Sequence, residues 1–274
     1  MNSTLENQVI VKDYLKERKL DSGLVEVFEN RFPEGATIPE LLALFKIQEN
    51  STSLFRWFKN NLPFDKNFAP LNFMPDYILD IGNIKLSGDT EFKDKIIIVK
   101  GEFRVQEGSL KLINSCIIAG SVNVAGKIEL TGKSKISSDK SLTSDELVMN
   151  SRSKIEAPVV KFNTAFLKGS AKIKGYCLGK NLTATNNTKI SGDVILDEEL
   201  YVSQNATITG KAVADIVKAY GSPVFKKDIV AVRKVFIDVL DNIDLDETKV
   251  KGEIIAPQIF YMDKPLYITS LKNL

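Results

Sequence analysis

Gly120-Ser-Val-Asn-Val-Ala-Gly126-Lys-Ile-Glu-Leu-Thr-Gly132 places a glycine every six residues, with apolar side chains two and four places after it. The phrase Gly-x-φ-x-φ returns after Gly88 (Thr90, Phe92), Gly101 (Phe103, Val105), Gly192 (Val194, Leu196), Gly210 (Ala212, Ala214) and Gly252 (Ile254, Ala256), with looser copies after Gly169 and Gly175. An apolar residue also stands two places before most of these glycines, as Leu86, Val99, Ile118, Ile190, Ile208 and Val250 do. The glycines therefore fall on the inward parity of a period-two pattern, where a chain can bend between two short strands and keep one face buried. Repetition on this scale predicts a solenoid.

The intervals between the glycines are 13, 19, 6, 6, 37, 6, 17, 18 and 42 residues, clustered near multiples of six. Three hexads make a turn of about 18 residues, so the chain from Tyr77 onward predicts about ten or eleven turns of a three-sided parallel β-helix, each rising about 4.8 Å. Asn114, Asn163, Asn181, Asn186 and Asn187 suit left-handed corners. A β-sandwich would need two-residue Asn-Gly or Asp-Gly hairpin turns, and the sequence has neither dipeptide.

Upstream, the pattern changes. Residues 1–62 read as a small helical domain. Leu5 to Lys19 carries an imperfect amphipathic face through Val9, Ile10, Val11, Tyr14 and Leu15. Asp21-Ser22 offers a cap to a short second helix. Thr37-Ile-Pro-Glu40 has capping-box spacing with Pro39 in the first turn. Ser51 to Asn61 reads as a fourth helix. Residues 63–76, rich in proline and aromatics, are expected to lie on the first turn of a solenoid spanning 77–274. The predicted fold class is thus mainly β, a single parallel β-helix with a small N-terminal α-helical domain.

Of 274 residues, 43% are hydrophobic and 26% charged, with a net charge of +2 and no histidine. The missing histidine removes Ser-His-Asp and Cys-His catalysis and imidazole metal sites. No basic, apolar leader opens the sequence and no apolar run approaches a membrane span. Cys116 and Cys177 lie in apolar alternation and are expected to point inward as free thiols, which favours a cytoplasmic protein. No cofactor and no metal is expected.

The Gly-x-φ-x-φ-x-Gly run of 120–132 and its copies resemble the coils of bactofilins, the bacterial β-helical cytoskeletal polymers. The order of parts, a helical domain followed by glycine-punctuated coils, is similar to that of uncharacterised phage and prophage β-solenoid proteins. The resemblance covers residues 80–256 and implies a β-helix that self-associates or, in the phage setting, binds and blocks a host factor. Bactofilin coils usually carry short disordered flanks; the 60-residue helical head departs from that plan.

Charge marks one candidate site. Between Val148 and Gly192 stand eight basic residues, Arg152, Lys154, Lys161, Lys168, Lys172, Lys174, Lys180 and Lys189, against one acid, Glu156. Several alternate with inward positions, so stacked turns gather Arg152, Lys154, Lys161, Lys168, Lys172 and Lys174 into a stripe able to hold an acidic protein or a phosphate backbone. The competing reading is a lysine surface that only keeps a β-face soluble and unpaired. Arginine is scarce and aromatics do not interleave, so nucleic acid is the less favoured partner. Arg56 and Trp57 on the fourth helix are interface candidates. So are Phe260, Tyr261 and Tyr267 in the apolar, Pro265-interrupted tail, through which the C-terminal end is expected to pair as a dimer.

Two acidic features read as structural. Asp238, Asp241, Asp244, Asp246 and Glu247 miss EF-hand spacing, because the sixth residue counted from Asp241 is Asp246 and the twelfth is Gly252. Asp193 and Asp215 have the composition of a glycosidase pair, a weaker alternative. The sequence thus favours a non-enzymatic binding or scaffold protein with a protein partner and no membrane association. A bactofilin-like polymer is the first alternative and a polysaccharide-acting enzyme the second.

Overall fold

Inward alternation organises the chain from Tyr77 onward into a parallel β-solenoid of about nine turns. The computed structural model describes residues 9–48, 51–61, 71–74, 77–80, 82–238, 249–261, 264–266 and 270–272.

Three faces repeat. On face A, strands stack in the order Tyr77–Asp80, Ile96–Val99, Cys116–Ala119 and Lys135–Ser138, and continue to Lys249–Val250. Face B begins with Ile84–Leu86, Glu102–Val105 and Ser121–Val124. Face C begins with Thr90–Lys93, Leu110–Ile113 and Lys127–Thr131. Every pairing between successive turns described here is parallel, with register shifts only where a strand passes from one face to the next, so Ile97, Ile117, Ile136, Ile155 and Ile173 form one inward column. Each is at most 1% exposed. Val122, Leu142 and Val160 form its counterpart on face B, and Leu112, Leu130 and Met149 on face C. Together they fill the interior along the rod.

The corner from face C to face A is left-handed in eight successive turns, at Asp94, Asn114, Gly132, Ser151, Gly169, Asn186, Gln204 and Gly221. Asn114 and Asn186 therefore take the predicted conformation, which their short amide side chains tolerate. Asn163, Asn181 and Asn187 do not. Asn163 and Asn181 serve another corner with their side chains: Asn163 donates to Asp145, and Asn181 Oδ1 accepts the Glu199 N–H at 3.1 Å. Behind the left-handed residue runs a column of small buried side chains, Ser115, Ser134, Ser153, Ala171, Thr188 and Ala206. Their carbonyls accept from Lys135, Lys154, Lys172, Lys189, Thr207 and Val224 in the next turn.

Turn length varies more than a strict hexad repeat. Cys116 lies opposite Lys135 and Lys172 opposite Lys189, so the first of these turns is the longer. The turn that pairs Val224 with Lys249 is longer still, and the tail folds back, so fewer turns form than a uniform coil predicts. The tail supplies Lys264–Leu266, antiparallel to Gln258–Tyr261, and Ser270–Lys272, antiparallel to Glu253–Ile255. On faces B and C these strands occupy the edge that the sequence reading leaves open for dimerisation.

The head comprises α1 (Lys12–Glu17), α2 (Ser22–Arg31), α3 (Ile38–Ile47) and α4 (Ser51–Asn61). Val9 and Ile10 form a short antiparallel pair with Ala36 and Thr37 in place of the predicted helix start, as suits β-branched residues. Asp21 Oδ1 caps α2 by accepting from the N–H groups of Gly23 (3.1 Å) and Leu24 (3.3 Å). Glu40 Oε2 accepts from both the N–H and the hydroxyl of Thr37 at 2.8 Å, which sets the start of α3. Strand Leu71–Met74 runs antiparallel to Tyr77–Asp80 on the first turn. Among the described residues no helix is long and apolar enough to cross a membrane.

Candidate functional site

The head is docked on the side of the solenoid. Ile96–Val99 and Cys116–Ala119 are apolar at consecutive positions; their inward side chains and the outward Ile98 and Ile118 are buried, and the outward Ile96 and Cys116 are half-buried. The outward set, Tyr77, Ile96, Ile98, Cys116 and Ile118, joins Phe45, Leu54, Phe55 and Phe58 of α3 and α4 in one hydrophobic cluster. Cys116 thus faces outward under the head, contrary to the sequence expectation, while Cys177 is inward and fully buried. Burial pushes both thiols up to about 12, which leaves them protonated and poor nucleophiles.

One turn beyond Cys116 the outward rows change character. The row containing Ile96 and Cys116 continues as Lys135, Lys154, Lys172 and Lys189; the row containing Ile98 and Ile118 continues as Ser137, Glu156, Lys174 and Ser191. The head ends at this boundary. Arg56 Nη2 donates to Ser137 Oγ, and Arg56 Nε lies 3.7 Å from Asp139 Oδ1. Lys59, only 1% exposed, donates to Asp139. Apolar rows under the helices and charged rows beyond them divide face A into a covered and an open part.

The open part is a ladder of ammonium groups at the inter-strand spacing of about 4.8 Å. Its near end is partly compensated, because Glu156 bridges Lys135 (3.4 Å) and Lys154 (2.6 Å). Burial pushes the Glu156 carboxyl upward, but the hydrogen bond to Lys154 and the charges of both lysines outweigh this and hold it below the usual range. Burial also lowers Lys135, against the pull of Glu156. The far end differs. Lys172, Lys174 and Lys189 are exposed and make no ion pair with a described residue.

The predicted stripe therefore divides. Lys154, Lys172 and Lys174 share face A. Arg152 and Lys168 are exposed on the corner that leads into it. Lys161 is on face B, in the outward row that pairs with Leu178, and does not belong to the ladder. Lys135 and Lys189 complete it. The signal for them was available in the sequence, where Lys135, Lys154, Lys172 and Lys189 each stand one turn from the next.

A cleft of about 660 Å³ lies where α4 meets the open face, bordered by Arg56, Asp139, Glu156, Lys174 and Tyr176. Gly175 and Gly192 lie in its floor. Gly175 has φ +143°, and a Cβ there would come within 1.7 Å of the Ala157 carbonyl oxygen. The turns approach each other closely here, and the residues on either side of Gly175, Lys174 and Tyr176, are exposed, Tyr176 by 54%.

The other candidates have structural employment. Trp57 is inside the head, edge-on to Phe45 with centroids 6.2 Å apart, and its indole N–H donates to the Arg18 carbonyl at 2.9 Å. Arg56 is engaged in the seam with its own solenoid. Phe260 stacks on Phe236 at 4.9 Å on the outer side of face C. Tyr261 contributes its backbone to the pairing with Lys264, and Tyr267 lies outside the described residues. Asp241, Asp244, Asp246 and Glu247 also lie outside them. Asp193 and Asp215 stand at opposite ends of face B strands: Asp193 accepts the Lys211 N–H at 2.8 Å, and Asp215 is held by Arg233 at 2.7 Å. Compared with family models, curated proteins and solved structures, the chain gave no match.

Proposed function

We propose that the chain is a non-enzymatic binding protein whose open face A engages an acidic protein surface, with the solenoid as rigid scaffold and the helical head as the wall beside the site. The observation that carries this reading is the uncompensated end of the lysine ladder. Beside it Glu156 sits between two lysines of the same ladder, at 3.4 Å from Lys135 and 2.6 Å from Lys154, the kind of carboxylate contact that this reading assigns to the partner at the open end. The same Glu156 and the scarcity of arginine favour discrete carboxylates over a continuous phosphate backbone. The phage-like layout fits a stand-alone blocker of a host factor, a reading that rests on the resemblance alone. A bactofilin-like filament has less support, because the antiparallel strands of the tail occupy two edges of the last turn.

The test replaces Lys172, Lys174 and Lys189 with glutamate. Outward β positions tolerate polar exchange within about 0.5 kcal/mol each, so circular dichroism and the thermal midpoint are expected to stay unchanged. Binding to a poly-glutamate probe is expected to be lost, and wild-type binding to fall steeply with salt. Equal binding by wild type and variant overturns the reading. So does stronger wild-type binding to random duplex DNA than to poly-glutamate.

A further inference from the structure

The cleft between α4 and the open face has a charge balance of its own. Ser53 and Arg56, three residues apart on α4, form one wall. The lining then crosses four successive turns, from Asp139 past Glu156 and Lys174 to Ser191. Both carboxylates are already held, Asp139 by Lys59 and Arg56, and Glu156 by Lys135 and Lys154. The cations are not used up. Lys174 makes no ion pair with a described residue. Arg56, 39% exposed, makes a single hydrogen bond among the described residues, to Ser137 Oγ; its buried Nε makes none, and Asp139 at 3.7 Å is beyond hydrogen-bond reach. The connected set thus holds five cations, Arg56, Lys59, Lys135, Lys154 and Lys174, against two carboxylates.

We infer that this cleft takes an extended acidic segment of the partner, laid along the rod with one carboxylate between Arg56 and Lys174. The inference rests on the acidic-partner reading above and narrows it from a surface to a single stretch of chain. Dimensions select the segment. Four strands are three inter-strand steps apart, about 14 Å, which is the reach of about four extended residues. The wall of α4 makes the site a groove, which one extended chain fills and a flat protein face does not.

Charge selects the residue type. A carboxylate between Arg56 and Lys174 exchanges their water for charge-assisted contacts, whereas an apolar or basic segment leaves both cations desolvated and unpaired. Tyr176 also borders the cleft, 54% exposed, and offers its ring to the stem of the incoming side chain. Tyrosine and arginine in one concave site are the composition of an interface anchor. Lys172 and Lys189 stand exposed on the same face outside the lining, where they meet acids that flank the segment.

The probe is a dye-labelled tetra-glutamate peptide with blocked ends, titrated against the full chain by fluorescence anisotropy. Ser191→Trp keeps every lysine and fills the cleft from the outward row beside Lys174. It is expected to weaken peptide binding at least tenfold with an unchanged circular dichroism spectrum. A second variant places the peptide. Ser191→Cys puts a thiol in the cleft, and saturating tetra-glutamate is expected to slow its reaction with maleimide at least fivefold, with wild type supplying the background from Cys116 and Cys177. Val232→Cys, 66% exposed at the corner between faces B and C, is expected to react at an unchanged rate. Wild type that binds neither tetra-glutamate nor poly-glutamate overturns both the inference and the acidic-partner reading. If poly-glutamate binds and needs Lys172, Lys174 and Lys189, that reading stands; the cleft is then overturned alone by wild type that does not bind tetra-glutamate, by Ser191→Trp that binds it like wild type, or by equal slowing of the two thiols.

Discussion

Lys59 in α4 and Asp139 at the far edge of the head's footprint, 80 residues apart in the chain, form an ion pair in which the lysine is 1% exposed. The carboxylate is 37% exposed, so the pair straddles the margin of the dock. Apolar contact holds the head over two turns of face A, and this pair fixes where it stops. Asp139→Ala leaves a buried ammonium uncompensated and is expected to cost about 2–3 kcal/mol, toward the low side for a buried pair because Asp139 is partly solvated. Lys59→Met, which keeps the stem volume, is expected to cost much less. Differential hydrogen exchange of α4 in the two variants checks this; equal protection would contradict it.

A second prediction concerns acid stability. The folded Glu156 carboxyl sits below its ordinary range, so its contribution is fully present above the unfolded glutamate pKa of about 4.3 and is lost as pH falls through the lower folded value. Glu156→Gln is therefore expected to reduce the dependence of the thermal midpoint on pH below about 4.5 and to lower the midpoint at neutral pH, where Lys135 and Lys154 lose their shared partner. A variant whose pH profile runs parallel to wild type would refute this.

The interior hydroxyl column offers an internal control. Ser134 Oγ donates toward the Leu112 carbonyl at 2.9 Å and the Thr131 carbonyl at 2.6 Å, whereas Ser153 Oγ, buried in the equivalent place one turn on, has no hydrogen-bond partner among the described residues. In the turn after that the position is Ala171. Ser134→Ala is expected to destabilise by about 1 kcal/mol and Ser153→Ala to be neutral or stabilising by a similar amount. Urea titration distinguishes them, and a costly Ser153→Ala would show that its hydroxyl is satisfied.

Much of this was legible in the chain. Alternation around Gly101, Gly120 and Gly126 identified the inward columns, because period two is insensitive to turn length. Asp21 and Thr37 marked two helix starts, since capping is local. The dock was harder to see. The runs Ile96-Ile-Ile-Val99 and Cys116-Ile-Ile-Ala119 are apolar on both parities, yet period-two reading uses only half of each, and the outward half is the head's seat. Lys135 was missed for a related reason: its neighbours in the ladder are a turn away, so local charge density left it outside the basic stretch. Asn163 and Asn181 have the same composition signal as Asn114; only the hydrogen bonds between turns assign them to a different corner.

The last prediction contrasts two glycines of the repeat, Gly88 before a full copy of the phrase and Gly175 before a looser one. Both introduce a strand in the repeat, and both have positive φ: +81° at Gly88 and +143° at Gly175. Around Gly88 a Cβ would meet nothing within 4 Å, so Gly88→Ala is expected to cost only the left-handed penalty, about 1 kcal/mol. At Gly175 the Cβ would lie 1.7 Å from the backbone oxygen of Ala157, which cannot move without parting two turns. Gly175→Ala is expected to cost about 3–5 kcal/mol, and because the displacement falls beside Lys174 and Tyr176, to weaken binding at the open face even where the protein remains folded. Thermal unfolding of both variants, with poly-glutamate binding measured well below the midpoint, checks the pair. Similar midpoints for the two would show that the close approach of Gly175 to Ala157 is not a constraint on the fold.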